Sequence, residues 1–230
     1  MTTFNTPVLI INAKNYLESS GERGIKLAKS AEKVAKELGV NIIIAPPTPL
    51  IYAVVKAVDI PVYAEHVDIS KIGSTTGFIV PELVKDMGAV GSIINHSEHQ
   101  LPVNIVAQTV ERLKQLGMGT VVCAVDHNKT KIFAEMNPDA VAVEPPELIG
   151  SGIAVSKARP EVITDSLKAV TAARSTSKLI CGAGIVTGED VKKALELGAE
   201  GVLVASGIVK AADPEAKIME LAEQLKKVDK

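Results

Sequence analysis

The sequence predicts an α/β fold: a single-domain (β/α)8 barrel of eight parallel strands that spans residues 1–230. Eight short apolar runs recur along the chain, and each is followed by a segment with the apolar spacing of a helix. The length allows about 29 residues for each strand and its crossover, which is enough for a parallel pair. No Pro-, Gly- or Ser-rich stretch marks an internal boundary. A doubly wound open sheet is the alternative, and the regular spacing and the count of eight weigh against it.

The eight predicted strands share three properties: they are short, rich in β-branched residues and apolar on both faces, as parallel strands covered by helices are. They lie at residues 8–13, 41–45, 61–65, 91–95, 119–124, 139–143, 178–182 and 201–205. The segments between them are amphipathic, and three of these end at a glycine that stops the helix. Those three helices are predicted at residues 21–39, 103–117 and 189–198.

Composition argues against several classes of protein. The net charge is −2 and charges of both signs are interspersed, so we expect no nucleic-acid partner. The N-terminal segment has no basic region before its short apolar run, and no stretch approaches the roughly 18 apolar residues of a membrane span. Cys123 and Cys181 form no CxxC pair, which favours reduced thiols and a cytoplasmic protein. Because no cluster has metal-ligand spacing, we expect neither a metal nor a cofactor.

The catalytic groups of such a barrel lie where the strands end. The first predicted strand leads into Asn12 and Lys14, the fourth into His96, and the sixth into Glu144. Each residue alone has an ordinary interpretation: a solvated lysine, a hydrogen-bonded structural histidine, or a glutamate in a structural ion pair. An amine, an imidazole and a carboxylate at one mouth instead indicate an active site, with Lys14 facing an anionic ligand or forming a Schiff base.

His96 is followed by Ser97 and Gln100, which have the S-x-x-Q spacing of a capping box. This spacing predicts a helix that begins directly behind the imidazole. The partial positive charge of a helix N-terminus would disfavour a second proton on the ring. We therefore expect a neutral His96 that donates a hydrogen bond to a carbonyl oxygen.

Glu144 follows a wholly apolar strand, so we expect its carboxyl group to be partly buried and its pKa to be raised towards neutrality. Such a group suits a general base. Two prolines stiffen the start of the loop at residues 144–152, and two glycines end it. This pattern predicts a lid that moves as a unit; an ordinary surface loop is the alternative.

The last quarter of the chain contains the signal for phosphate. Residues 182–191 and 205–214 each follow a predicted strand and introduce a helix, and both begin with small residues. Small residues let backbone N–H groups approach an anion, and the loops after strands seven and eight are the recurrent phosphate site of these barrels. The signal does not specify the reaction. Another phosphate-binding barrel enzyme and a non-catalytic sugar-phosphate sensor stay open as alternatives.

Five motifs follow one another in barrel order. They are N-A-K at 12–14, N-H-S-E at 95–98, E-P-P-E-L-I-G-S-G at 144–152, G-A-G-I at 182–185 and V-A-S-G at 204–207. Across essentially the whole chain they resemble triosephosphate isomerase in its compact archaeal form. The resemblance implies a TIM barrel that interconverts dihydroxyacetone phosphate and D-glyceraldehyde 3-phosphate through an enediolate, in glycolysis and gluconeogenesis, without a cofactor.

The resemblance also implies roles for individual residues. Glu144 is expected to be the base, His96 the electrophile, and Glu98 a supporting group near Lys14. Lys14 is expected to be both catalytic and, with Asn12, substrate-binding. The phosphate is expected to bind the backbone at Ile149 or Gly150, Gly184, Ala205 and Ser206.

The sequence departs from the longer bacterial and eukaryotic form of this family. Residues 98–100 are Glu-His-Gln instead of Glu-Arg-Arg, Val143 replaces an aromatic residue, and residues 146–147 are Pro-Glu instead of Val-Trp. The longer form implies a dimer built around the third loop, here residues 65–79. The compact form implies a homotetramer, which is the assembly we expect.

Overall fold

The computed structural model describes residues 4–145 and 159–226, and these form a ring of parallel strands surrounded by helices. The strands are β1 (Val8–Asn12), β2 (Asn41–Ala45), β3 (Tyr63–Ala64), β4 (Gly91–Ile94), β5 (Gly119–Ala124), β6 (Ala140–Val143), β7 (Lys178–Cys181) and β8 (Gly201–Val204). The helices are α1 (Gly21–Leu38), α2 (Ile51–Ala57), α3 (Pro81–Asp86), α4 (Val103–Gln115), α5 (His127–Ala134), α6 (Pro160–Ala172), α7 (Gly188–Glu196), α8 (Ser206–Val209) and α9 (Pro214–Ala222). Within these ranges no helix is long and apolar enough to cross a membrane.

The strand order shows that the sheet closes on itself. Hydrogen-bonded neighbours run β2-β1-β8-β7-β6-β5-β4-β3, and the paired strands are parallel. A parallel bridge between Ile44 and Val62 joins the two ends, with the Ile44 amide donating to the Pro61 carbonyl at 3.1 Å. This closure confirms the predicted (β/α)8 barrel and excludes the doubly wound open sheet.

The third strand is shorter than predicted. The sequence indicated a strand over 61–65, but only Tyr63 and Ala64 pair in the ladder, with Gly91 and Ser92. Pro61 has no N–H to donate, so it contributes only its carbonyl to the neighbouring strand. The three helices predicted to end at a glycine do end one or two residues before it, at Leu38, Gln115 and Glu196.

Strand residues alternate between two packed regions, as the two-residue period of a strand requires. On β1, Val8 and Ile10 point into the barrel, whereas Leu9 and Ile11 pack under the surrounding helices. Both regions consist mostly of Val, Ile, Leu and Ala.

Tyr63 is the large side chain of the barrel interior near its amino-terminal end. A Cβ atom on Gly91 would lie 2.4 Å from the Tyr63 ring, and one on Gly119 would lie 2.0 Å from its hydroxyl. Glycines at the start of β4 and β5 therefore provide the space that the ring fills.

Candidate active site

A cavity of about 280 Å³ opens at the carboxyl ends of the strands. Lys14, His96 and Glu144 line one side of it. The turns after β7 and β8, residues 184–186 and 205–207, line the other. The structure thus brings together the three groups that the strand-end rule selected, which lie far apart in the sequence.

Glu144 follows β6 directly, and its backbone amide continues the sheet by donating to the Ala124 carbonyl at 2.8 Å. Its side chain is 1 % exposed, and within the described residues no hydrogen-bond partner reaches either carboxylate oxygen. Burial raises the pKa of this carboxyl group to about 8, although the nearby Cys123 thiol and Lys14 ammonium act in the opposite direction. Gly182 borders the same group, since a Cβ there would lie 2.4 Å from Glu144 Cγ.

His96 is buried next to this carboxylate, with its Nε2 atom 3.6 Å from Oε2 of Glu144. Burial lowers the pKa of the His96 imidazole to about 4, and the Lys14 ammonium acts in the same direction. The backbone N–H of Glu98 donates to Nδ1 at 3.2 Å, so Nδ1 carries the lone pair and the ring proton of the neutral imidazole is on Nε2. The geometry therefore presents an N–H donor next to Glu144.

The capping box that the sequence indicated behind His96 is wrong. Residues 97–99 form a turn closed by the His99 amide on the His96 carbonyl at 2.7 Å, and α4 begins only at Val103. The Asn95 amide oxygen accepts from the Leu101 N–H at 2.7 Å, ahead of the helix, whose N-cap is Pro102 and has no side-chain cap. His96 is thus kept neutral by burial and by Lys14, without a helix N-terminus behind it.

Lys14 leaves the strand conformation, with φ of 48° in the left-handed region. The Asn12 side chain, itself buried, accepts from the Lys14 amide at 3.3 Å, and the Lys14 carbonyl accepts from the Ser19 hydroxyl at 2.7 Å. The ammonium group pairs with Glu98 Oε1 at 2.7 Å and is mostly shielded, whereas Glu98 is exposed. The backbone strain is held by these contacts and directs the amine into the pocket.

An adjoining cavity of about 450 Å³ lies on the other side of Lys14 and Glu98. Asn12 lines this cavity and does not line the one that contains Glu144. Glu65 and the stacked rings of His66 and His99, whose centroids are 4.1 Å apart, also line it. Burial raises the pKa of Glu65 to about 7.

The turns after β7 and β8 form one continuous wall. Gly184 has φ of 70°, and a Cβ atom on Gly207 would lie 2.9 Å from the Ile185 carbonyl oxygen, so the two turns touch. Ala205 and Ser206 line the same cavity. Ile149 and Gly150, and the predicted lid from residue 146 onward, lie outside the described residues.

Comparison with known proteins assigns the chain to a family. The family model described as triosephosphate isomerase matches residues 7–224. The triosephosphate isomerase of Pyrobaculum calidifontis is 52% identical over 219 residues, 95% of this chain and 96% of the relative. That of Cenarchaeum symbiosum is 50% identical over 220 residues, 96% of this chain and 98% of the relative. That of Methanocaldococcus jannaschii is 49% identical over 214 residues, 93% and 98% of the two chains.

The chain belongs to the triosephosphate isomerase family. The resemblance that the motifs indicated is confirmed, and with it the assignment of the chain as an isomerase. Within residues 4–145 and 159–226, no group of three or more His, Cys, Asp and Glu side chains is arranged to hold a metal ion.

Sequence reasoning missed several residues of this candidate site. Glu65 follows the third strand, so the strand-end rule that found Glu144 would also have found it. Asn95 lies within a motif that was noted, but its bond to the Cys123 carbonyl at 2.9 Å spans 28 residues and leaves no local signal. The proximity of Cys123 and Gly182 to Glu144 likewise depends on neighbouring strands, β5 and β7, that only the closed barrel brings together.

Proposed function

We propose that the pocket between Lys14, His96 and Glu144 is where this chain carries out the reaction of its family, the interconversion of dihydroxyacetone phosphate and D-glyceraldehyde 3-phosphate. One observation carries the residue roles: a buried carboxylate without a hydrogen-bond partner among the described residues lies 3.6 Å from the N–H of a neutral imidazole. A base and a proton donor side by side suit proton transfer between adjacent carbons of one small substrate.

Glu144 acts as the base. It removes a proton from the carbon beside the substrate carbonyl and returns it to the neighbouring carbon, so one carboxylate serves both steps. Its raised pKa supports this role, because a base stronger than an ordinary carboxylate drives proton abstraction better. The Cys123 thiol beside it is only a weak donor, so its oxygens give up little when they reach the substrate.

His96 and Lys14 stabilise the negative charge that develops on the substrate oxygen. The His96 Nε2–H donates to that oxygen, and because the ring is neutral it forms no ion pair with Glu144 that would compete with this bond. Lys14 adds a shielded positive charge held by Glu98. Fixed donors of this kind contribute on the order of several kcal/mol to the transition state.

The substrate phosphate binds the opposite wall, at the backbone of Gly184, Ala205 and Ser206. The small residues and the contact between the two turns support this placement, as does their position after β7 and β8. We propose that the whole chain, residues 1–230, is one catalytic domain and that Asn12 acts on the substrate through Lys14, whose amide it holds.

The direct test is turnover of purified chain with D-glyceraldehyde 3-phosphate, coupled to reduction of the product by a dihydroxyacetone phosphate reductase. We expect turnover that inorganic phosphate inhibits competitively. Absence of turnover would contradict the proposed reaction, and inhibition that is not competitive would contradict the phosphate wall.

We further propose a homotetramer assembled partly through residues 65–79, working in the cytoplasm in glycolysis and gluconeogenesis. Ile72 and Phe78 on this loop are 61% and 56% exposed, and Leu17 is 75% exposed. Exposed apolar groups of this size support a protein interface. The buried free thiols of Cys123 and Cys181 support a reducing compartment. Light scattering on a sizing column distinguishes a tetramer from a dimer or a monomer.

A further inference from the structure

We propose that Lys217 and Glu220 on α9 are positioning residues that hold the β7–α7 turn in the shape needed to bind phosphate. The inference rests on the proposed phosphate wall and extends it to two side chains on the outer layer of the barrel. Neither residue lines the pocket. They act on it through Val186, which does.

Both residues bind the backbone of the turn directly. The Lys217 ammonium donates to the Val186 carbonyl at 3.1 Å and to Glu220 Oε2 at 2.6 Å. The other oxygen of Glu220 accepts from the Gly188 amide at 3.0 Å. Lys217 thus holds the turn at the Val186 carbonyl, and Glu220 holds it at the Gly188 amide, while the two side chains bind each other. We call this pair the brace. The pKa of Glu220 is held below its usual value, first by Lys217 and also by the Gly188 amide, against the effect of burial.

The rest of the turn is fixed from α7. One carboxylate oxygen of Asp190 accepts from the Val186 amide at 3.1 Å and from the Thr187 amide at 2.8 Å. Because Asp190 holds the amide of Val186 and Lys217 holds its carbonyl, the peptide planes on both sides of this residue have set orientations. The backbone N–H groups of residues 186–188 thus all donate to side chains of α7 and α9.

Because these three N–H groups are already bonded, an anion has to bind other amides of the turn. Within the described residues, the amides of Gly184 and Ile185 donate to no acceptor, and both residues line the cavity. If the planes around Val186 rotated, the preceding peptides would rotate with them. Pre-organised donors bind an anion better than mobile ones, because no ordering cost is paid on binding.

The brace also connects the two turns of the wall. The chain passes from Ala205 through α8 directly to α9, so the helix that holds the β7 turn is the continuation of the β8 turn. The contact is close: a Cβ on Gly188 would lie 3.0 Å from the Glu220 carbonyl oxygen. A change at α9 should therefore affect phosphate binding and leave the carboxylate and the imidazole in place.

The test compares a phosphorylated substrate with one that lacks phosphate. For Lys217→Met and, separately, Glu220→Ala, we expect the KM for D-glyceraldehyde 3-phosphate and the inhibition constant of inorganic phosphate each to rise about tenfold, with a smaller change in kcat. The kcat/KM for glyceraldehyde, which has no phosphate, should stay within about twofold of the parent. Lys217→Arg, which can still donate to both partners, should restore parental values.

A matched control is available on α7. Lys193 pairs with Glu196 at the same i,i+3 spacing, at 3.4 Å and with both side chains exposed, and neither contacts the turn. Lys193→Met should leave every constant unchanged. An equal loss of kcat/KM with D-glyceraldehyde 3-phosphate and with glyceraldehyde would overturn the proposed brace. So would an unchanged KM and an unchanged inhibition constant of inorganic phosphate in both brace variants. If inorganic phosphate fails to inhibit the parent itself, the proposed phosphate wall fails first, so the two failures are distinguishable.

Discussion

The Nε2 atom of His96 lies 3.6 Å from Oε2 of Glu144, although 48 residues separate the two in the chain. The ring is neutral because burial and Lys14 disfavour its protonation, and burial also favours the protonated carboxyl group. Two groups that would form an ion pair in water are thus kept from doing so. Each keeps its hydrogen-bonding capacity for a substrate bound beside them.

Shortening the base should abolish most of the activity without affecting phosphate binding. Glu144→Asp withdraws the carboxylate by one methylene, about the displacement that costs a hundredfold in rate. We expect kcat to fall about 10²-fold or more, with the inhibition constant of inorganic phosphate within about twofold of the parent. Glu37→Asp on the exposed face of α1 is the matched control. Unchanged kcat in Glu144→Asp would remove Glu144 from the role of base.

Most of the fold and the three central side chains could be predicted from the sequence because both depend on short-range patterns. Apolar runs mark strands, and the residue after a strand marks the mouth of a barrel. The capping box failed because Ser97 and Gln100 met a local rule, while the outcome was decided by Asn95, whose amide group also holds β5. The brace at Lys217 is invisible in the sequence for the same reason, since it joins residues 31 apart.

Neutralising the buried carboxyl group should make the protein more stable in alkaline solution. The folded pKa of Glu144, about 8, lies above the ordinary value of 4.5, so the folded state holds its proton more tightly than the unfolded chain. The contribution of this group to stability is therefore fully present below pH 4.5 and is lost as the pH rises to about 8. Glu144→Gln carries no such loss, because the amide does not ionise.

The measurement is thermal unfolding of parent and Glu144→Gln at pH 5 and pH 9. We expect the melting temperature of the variant, relative to that of the parent, to be several degrees higher at pH 9 than at pH 5. Glu65 also titrates in this range, but it is common to both proteins, so its contribution cancels in the difference. A difference in melting temperature that is the same at both pH values would contradict the raised pKa.

The imidazole of His96 should stay neutral well below the ordinary histidine range. Its pKa is lowered to about 4, so at pH 5.5 we expect nitrogen NMR shifts of a neutral ring with the proton on Nε2. Imidazolium shifts for His96 at pH 5.5, or a proton on Nδ1, would contradict the donor role.

A methyl group at position 182 should disable the base by displacing it. In Gly182→Ala the new Cβ would lie 2.4 Å from Glu144 Cγ and 2.8 Å from its Oε1, so the carboxylate has to move. We expect kcat to fall at least about tenfold in the folded protein. Gly91→Ala is an equally crowded control at the other end of the barrel, where the new Cβ would lie 2.4 Å from the Tyr63 ring. Both variants should lose stability, because overpacking a core costs about 1–3 kcal/mol. Only Gly182→Ala should lose activity per folded molecule, measured below the melting temperature of both; an equal loss in Gly91→Ala would show that crowding anywhere in the barrel, and not displacement of Glu144, reduces turnover.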